Sequence, residues 1–195
     1  MIYDVILNRL YVPGGGQITI LNVGGSIPQV LGGGPITIPT VAPGTRSAGD
    51  PCALTGTGPL NVVAAAALPD ASRAYVGSWY SDGAGNICPQ VTVINASSST
   101  IKTSVPVPGF PDATIPSSPY YVPICATTRF RMMMAAAGDS SRAYLSSCDG
   151  GNVNIINTTT DTYFLNVPAP LSARPPIPPS TQNPPQNPVF MIAGP

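Results

Sequence analysis

The stretch Ala71-Ser72-Arg73-Ala74-Tyr75-Val76, followed a short way on by Val91-Thr92-Val93-Ile94-Asn95, decides the fold because the same pair of phrases occurs three times. The first copy reads Asn8-Arg9-Leu10-Tyr11-Val12 and then Ile18-Thr19-Ile20-Leu21-Asn22, and the third reads Ser141-Arg142-Ala143-Tyr144-Leu145 and then Val153-Asn154-Ile155-Ile156-Asn157. Self-similarity at a long, steady period is typical of chains in which each repeat is one supersecondary unit that buries its apolar face against its neighbours. The sequence therefore predicts three successive units of the same kind.

The composition limits the classes of partner. Hydrophobic residues make up 43% of the 195 residues, which is enough for a core, whereas charged residues make up 8% and the formal net charge is zero. Such a surface offers no electrostatic footprint for nucleic acid or anionic lipid, so we expect neither partner. No apolar run approaches the roughly 20 residues that span a bilayer, so no membrane insertion is predicted. Residues 1–4 lack the features of a signal peptide, which suggests a mature form, a fragment or a cytosolic chain.

The four cysteines occur in pairs within repeats. Cys52 precedes and Cys88 follows the Arg-Ala-Tyr strand of the second unit, and Cys125 and Cys148 flank the equivalent strand of the third. This pattern favours the bridges Cys52–Cys88 and Cys125–Cys148, and hence an extracellular or cell-surface location. Four unrelated buried thiols are the alternative.

Each complete unit is predicted to hold four strands. In the second unit these are residues 62–68, 73–80, 91–95 and 100–107, and in the third 130–137, 142–147, 153–157 and 162–167, separated by Gly, Ser, Asp and Asn turns. The first unit is less complete, with an opening strand at residues 1–4 and a glycine-rich later part. Four antiparallel strands per unit form a propeller-type blade, so the predicted fold class is all-β.

The second unit resembles the YVTN-type β-propeller repeat of bacterial and archaeal surface or secreted proteins. The resemblance lies in the order of three segments: an apolar strand, then Pro-Asp-x-Ser-Arg-x-Tyr-Val, then Val-Thr-Val-Ile-Asn-x-x-x-x-Thr-Ile-x-x-x-Val-Pro-Val. The resemblance covers most of residues 60–110 and 128–168 and more weakly residues 1–24. It implies blade packing and names no catalytic site. The connections are longer than in that family, and Asn95 and Asn157 stand where an acidic residue is usual.

These boundaries divide the chain into four parts. Residues 1–59 form a partial first blade with a Gly/Pro-rich connection, residues 60–127 the second blade with its connection, and residues 128–188 the third blade with a Pro-rich connection. Residues 189–195 are predicted to begin the opening strand of a next blade.

The side chains for catalysis are scarce. With no His and no Glu, the chain retains eight Asp besides its hydroxyl residues, so no enzymatic activity, no catalytic residue and no cofactor is predicted. The recurrence of Asp70 and Asp139 is explained by turn geometry, and Arg9, Arg73 and Arg142 are expected to pack over tyrosines or bind turn carbonyls.

Two hairpin loops and two sequons carry weaker site candidates. Asp82 with Asn86 and Asp149 with Asn152 could offer oxygen ligands to calcium, although each loop has too few carboxylates for a complete shell and a plain turn is the preferred interpretation. Asn95 and Asn157 lie in glycosylation sequons, but an asparagine at a strand end also caps a turn.

The function predicted from these features is structural. We expect a non-enzymatic extracellular protein that self-assembles into a filament or surface array and whose main partner is itself. The proposed assembly strand, which would add to a neighbouring copy, consists of Val189, Phe190, Met191, Ile192 and Ala193. The alternative is a fragment of a larger β-propeller that acts as a protein- or ligand-binding module.

Overall fold

The fold consists of three antiparallel β-sheets in chain order. In a computed structural model, residues 1–53, 58–117, 121–122, 125–126, 131–170, 187–188 and 191–192 are described. These residues form two sheets of five strands and one sheet of four, so the prediction of an all-β fold with blade-like repeats is confirmed.

The first sheet is built from short strands. It contains β1 (Ile2–Asp4), β2 (Arg9–Gly14), β3 (Gln17–Asn22), β4 (Gln29–Val30) and β5 (Ile36–Thr37). Both β4 and β5 pair with β3, so two two-residue strands occupy the place that one long fourth strand takes in the other sheets. The glycine-rich sequence after β3 accounts for this interruption, because glycine weakens a strand interior.

The second sheet has a fifth strand that the repeat pattern did not indicate. Its strands are β6 (Asn61–Ala67), β7 (Arg73–Ser81), β8 (Asn86–Asn95), β9 (Thr100–Pro106) and β10 (Phe110–Pro111). Because β8 is longer than the predicted strand 91–95, its last part pairs with β9 while its beginning pairs with β10.

The third sheet follows the predicted plan of four strands in meander order. It contains β11 (Met132–Ala136), β12 (Arg142–Ser147), β13 (Asn152–Asn157) and β14 (Thr162–Pro168). A short 3₁₀ helix, η1 (Pro43–Thr45), lies in the connection between the first two sheets. No helix in the described part of the chain is long and apolar enough to cross a membrane.

Aspartates hold the turns between the first and second strands of the sheets. The Asp70 carboxylate accepts hydrogen bonds from the backbone N–H and hydroxyl of Ser72, and the Asp139 carboxylate accepts one from the backbone N–H of Ser141. In the first sheet, Asp4 accepts from two backbone N–H groups in the same way. The turn role expected for Asp70 and Asp139 is therefore what the structure contains.

The sheets pack face to face, and each of the two packed faces forms a core cluster. The cluster between the first and second sheets includes Tyr11, Ile18, Ile20, Ala74, Val76 and Ile94, and the cluster between the second and third includes Ala64, Ala66, Tyr75, Val91, Val93, Val105, Met132, Met134, Leu145 and Ile156. Tyr75 and Val76 are neighbours in β7 and serve different clusters, because successive side chains of a strand point to opposite faces.

Both predicted disulfides are present. Cys52 is bonded to Cys88, and Cys125 is bonded to Cys148, which leaves no free cysteine among the described residues. The first bridge joins the connection after η1 to β8, and the second joins the segment before the third sheet to the residue that follows β12.

Side chains fix the connection between the first and second sheets. The buried Gln90 side chain of β8 accepts a hydrogen bond from the backbone N–H of Val41 and donates one to the carbonyl of Pro39, both at 2.8 Å. The Arg46 guanidinium donates to the carbonyls of Val107 and Pro89. These bonds satisfy buried polar groups and pack the connection against the second sheet.

Candidate functional site

The recurring arginines bind the turn of the neighbouring sheet. Arg9, at the start of β2, donates from Nη1 to Ser99 Oγ at 3.0 Å and from Nη2 to the carbonyl of Ser97 at 2.9 Å. Both acceptors belong to the turn between β8 and β9. The expectation that these arginines bind turn carbonyls therefore holds at Arg9, but the turn belongs to the next sheet.

The same contact recurs one sheet further along with a charged acceptor. Arg73, at the start of β7, donates from Nη1 to the carbonyl of Thr158 and to Asp161 Oδ1, which lies 3.0 Å away. Ser99 and Asp161 occupy the same place in their turns, since each precedes the fourth strand and has a positive φ, of 55° and 54°. Aspartate tolerates this left-handed conformation better than most residues.

The buried Asp161 is the centre of a polar group that we call the junction cluster: Arg73, Tyr75, Lys102 and Asp161. Its carboxylate, of which 3% is exposed, also accepts hydrogen bonds from the Tyr75 hydroxyl and from Lys102 Nζ, both at 2.6 Å. Burial first, and then the Asp161 carboxylate, raise the pKa of Tyr75. The tyrosine therefore stays protonated and donates to the carboxylate throughout the physiological range.

A cleft of ≈ 410 Å³ opens beside the junction cluster, between the outer strands β9 and β14. It is lined by hydroxyl, proline and tyrosine side chains together with two carboxylates: Ser47, Asp50, Thr103, Ser104, Val105, Pro106, Pro108, Asp161, Thr162 and Tyr163. Asp50 forms an ion pair with the buried Arg46, and Asp161 is held by the junction cluster. Since both carboxylates are neutralised by cations of the protein, the lining offers hydroxyl groups beside a larger apolar surface from proline, valine and tyrosine side chains.

A second ionic cluster links the connection after β10 to the third sheet. The Arg131 guanidinium pairs with Asp112 at 2.5 Å and with Asp149 at 2.6 Å, and it stacks 4.5 Å from the ring centroid of Trp79. Burial opposes ionisation of Asp112, but hydrogen bonds from Thr114 and the charge of Arg131 outweigh it and lower the pKa of that carboxyl. Sequence reasoning missed this cluster, because Asp149 was interpreted as a turn residue and Arg131 lies 18 residues from Asp149 and 19 from Asp112.

The calcium candidates lie in two separate hairpin loops. The Asp82 carboxylate accepts hydrogen bonds from the backbone N–H of Ala84 and from both the backbone and side chain of Asn86. Asp149 is bound to Arg131 and to the backbone N–H of Ala113, while Asn152 accepts a bond from Asn154. The structure thus shows both carboxylates and the Asn152 side-chain oxygen engaged in loop and ionic contacts.

One group of potential metal-binding side chains was not anticipated. Cys52, Asp82 and Cys88 have ligand atoms within 4.8 Å of one another. The two sulfur atoms form the Cys52–Cys88 disulfide and so are not thiolate ligands.

The sequon asparagines lie at the ends of β8 and β13. Asn157 Oδ1 accepts a hydrogen bond from the backbone N–H of Thr159, and Asn22 does the same for Gly24 in the first sheet. Asn95, at the equivalent place, is partly exposed. Turn capping therefore explains the recurring asparagine at two of its three positions.

Most of the assembly strand lies outside the described residues. This applies to Val189, Phe190 and Ala193, whereas Met191 and Ile192 are described and belong to no strand. Its addition to a neighbouring copy stays a prediction.

Comparisons with known proteins found partial similarity to solved structures only. No protein-family model and no curated protein matches the sequence. Among solved structures, apo AztD from Citrobacter koseri is similar over 82% of this chain and 30% of its own, with 16% identity and a TM-score of 0.43. Dihydro-heme d1 dehydrogenase NirN in complex with DHE is similar over 100% of this chain and 29% of its own, with 14% identity and a TM-score of 0.49. The β-propeller domain of Cps50 (Swd1) from Myceliophteria thermophila is similar over 87% of this chain and 54% of its own, with 10% identity and a TM-score of 0.28.

This chain therefore spans less than a third of the length of the first two of these proteins. The neighbours include β-propeller proteins, but all three TM-scores are below 0.5. The description of the sheets as blades rests on the strand order and packing of this chain.

Proposed function

We propose that this chain forms blades of a β-propeller that acts as a non-enzymatic binding module outside the cell. The observation that carries the proposal is the cleft between β9 and β14, at the place where the second and third sheets meet. Three sheets are too few to close a ring, so the module is proposed to be part of a larger assembly of blades. The two disulfides support an oxidising compartment.

The chemistry of the cleft favours a neutral, hydroxyl-rich ligand. Ser47 and Thr103 offer hydroxyl groups that can both donate and accept hydrogen bonds, Ser104 lines the cleft with a hydroxyl that is bonded to Thr92, and the Tyr163 ring offers an apolar face. Charged ligands are disfavoured, because Asp50 and Asp161 already have cationic partners. We therefore propose that the cleft binds a carbohydrate or an uncharged polar peptide.

The absence of an enzymatic activity is part of the proposal. The chain has no His and no Glu, and the buried carboxylates Asp149 and Asp161 are bound by cationic side chains. Both carboxylates are therefore already occupied by side chains of the protein, and neither is proposed as a general acid or base.

Binding can be tested with a panel of soluble oligosaccharides and uncharged peptides, read by the shift of the thermal unfolding midpoint. Any compound that raises the midpoint is then tested on two variants. Thr103→Arg places a long side chain in the cleft, whereas Thr100→Arg makes the same change on the same strand outside it. The proposal expects binding to be lost in Thr103→Arg and kept in Thr100→Arg. Equal binding by both variants would contradict the assignment of the cleft.

A self-assembling structural protein is the second candidate. It is favoured by the outer strand of the third sheet, where Leu165 and Val167 are 37% and 46% exposed. Sedimentation velocity over a wide concentration range separates the two: a monomer supports the binding module, and concentration-dependent polymers support self-assembly.

A further inference from the structure

The same arginine–tyrosine pair lies at each contact between neighbouring sheets, and the sequence contains a third such pair. An arginine begins the second strand, a tyrosine follows two residues later, and both face the turn of the next sheet. The first two copies are Arg9 with Tyr11, facing Ser99, and Arg73 with Tyr75, facing Asp161. The third copy is Arg142 with Tyr144.

Arg142 has no neighbouring turn to bind among the described residues. Its Nη1 donates to the carbonyl of Ser141, the residue beside it, and its guanidinium lies 5.2 Å from the ring centroid of Phe164. Tyr144 is partly exposed, whereas Tyr11 and Tyr75 are 0% exposed.

The apolar face around Tyr144 also repeats a face that is buried elsewhere. In the second sheet, Tyr75 pairs with Val93, and Val91 pairs with Val105, and all four side chains are buried against the third sheet. In the third sheet the same register pairs Tyr144 with Ile155, and Val153 with Val167. We call these four residues of the third sheet the open face; Val167 is 46% exposed and the other three are partly exposed.

We propose that the open face is the docking surface for a further blade, an antiparallel sheet whose third turn presents an aspartate to Arg142 and Tyr144. This inference rests on the blade assignment in the proposed function and names the partner of one face; it does not depend on the cleft. The contact continues an interface that the chain already makes twice, with apolar side chains at equivalent positions of the same register.

Aspartate is the partner that satisfies both polar groups. At the first junction the short Ser99 side chain reaches Arg9, and the buried Tyr11 hydroxyl has no hydrogen-bond partner among the described residues. At the second junction Asp161 accepts from both the arginine and the tyrosine. A carboxylate also supplies the negative charge that complements Arg142.

The test uses the full chain extended by a second copy of residues 108–168, inserted after residue 168. This insert brings a third-sheet blade with its own copy of Asp161, which is the residue that docks on the second sheet. In the extended chain and in the natural chain, the denaturant midpoint is measured for Arg142→Ala. The inserted aspartate is also changed to Ala, alone and together with Arg142→Ala, to form a double-mutant cycle.

The proposal expects Arg142→Ala to lower the midpoint more in the extended chain than in the natural chain, and the two changes in the cycle to be non-additive. Equal effects in both chains, additive effects in the cycle, or an extended chain without a cooperative unfolding transition would each overturn it.

A second measurement on the natural chain tests whether the face is open. Val167→Asp should lower the midpoint far less than Val105→Asp, since Val105 holds the equivalent place in the buried junction. A similar drop for both variants would mean that this chain covers its own face, and would overturn the proposal.

Discussion

Replacing Asp161 by asparagine tests the claim that a buried carboxylate holds the second and third sheets together. Asparagine keeps the shape of the side chain and tolerates the positive φ of 54° at this position, so the change removes the charge with little backbone strain. The carboxylate accepts from Arg73 at 3.0 Å and from the buried Tyr75 hydroxyl at 2.6 Å. It also pairs with Lys102, whose side chain is 40% exposed.

The expected cost follows from these three contacts. The bond from the Tyr75 hydroxyl becomes a neutral bond, and the bond from the Arg73 guanidinium loses the charge of its acceptor. Together these two changes cost about 2–3 kcal/mol, since a bond to a charged group contributes about 1.5–3 kcal/mol and a neutral one about 0.5–1.5 kcal/mol. The half-exposed pair with Lys102 adds roughly 0–1 kcal/mol. We therefore expect Asp161→Asn to lower the free energy of unfolding by about 2–4 kcal/mol.

Urea unfolding, followed by far-UV circular dichroism and by the fluorescence of the single tryptophan, Trp79, measures this loss. Ser99→Asn is the matched control, because it installs the same residue at the equivalent turn position without removing a charge. Ser99 is buried and accepts a hydrogen bond from Arg9, which an asparagine side chain can also accept, so the control should lower the free energy of unfolding by no more than about 1.5 kcal/mol. If Asp161→Asn costs no more than this control, the carboxylate does not hold the junction.

Four further predictions concern stability. Tyr11→Phe should be neutral or stabilising in urea unfolding, because the Tyr11 hydroxyl is buried without a partner among the described residues. Tyr75→Phe should instead destabilise the protein by about 1–3 kcal/mol, because its hydroxyl loses a hydrogen bond to a carboxylate. Burial first, and then the charge of Asp4, raise the pKa of Tyr11 to about 12. The folded state therefore holds this proton more tightly than the unfolded state, whose tyrosine pKa is about 10, so stability is constant below that pH and falls as pH rises toward 12. Tyr11→Phe should reduce that alkaline slope in unfolding experiments at stepped pH, and an unchanged slope would refute the assignment. Replacing Cys52 and Cys88 by Ala should cost about 3–4 kcal/mol in the chain-entropy account, because the bridge closes a separation of 36 residues, and a loss below about 1 kcal/mol would count against it. Gly109→Ala should destabilise, since its Cβ would lie 2.5 Å from the Cys52 sulfur; an unchanged thermal midpoint would show that the backbone relaxes freely there.

Much of the fold can be predicted from local sequence patterns. The alternating β-branched phrase 91–95 could only be a strand between its turn residues, and the same phrase three times fixed the number of units. The disulfide partners followed from cysteines that appear together within a unit. Asp70 was explained by the need of a turn for a side-chain acceptor, which depends on residues one or two positions away.

The contacts between units depended on the tertiary structure. Arg73 was visible as a recurring residue, but its acceptor Asp161 is 88 residues away, and the equivalent acceptor at the first junction is a serine. A repeat shows which residues of successive units are equivalent. It does not show which face of one sheet contacts which turn of the next. The sequence pattern does not predict the short strand β10, because a two-residue pairing that contains a proline has no periodicity of its own. Local sequence determined the strands and turns, because strand and turn formation depends on residues that are close together in the chain. The junction cluster and the cleft depend on packing, because they form only where distant turns and strands come together.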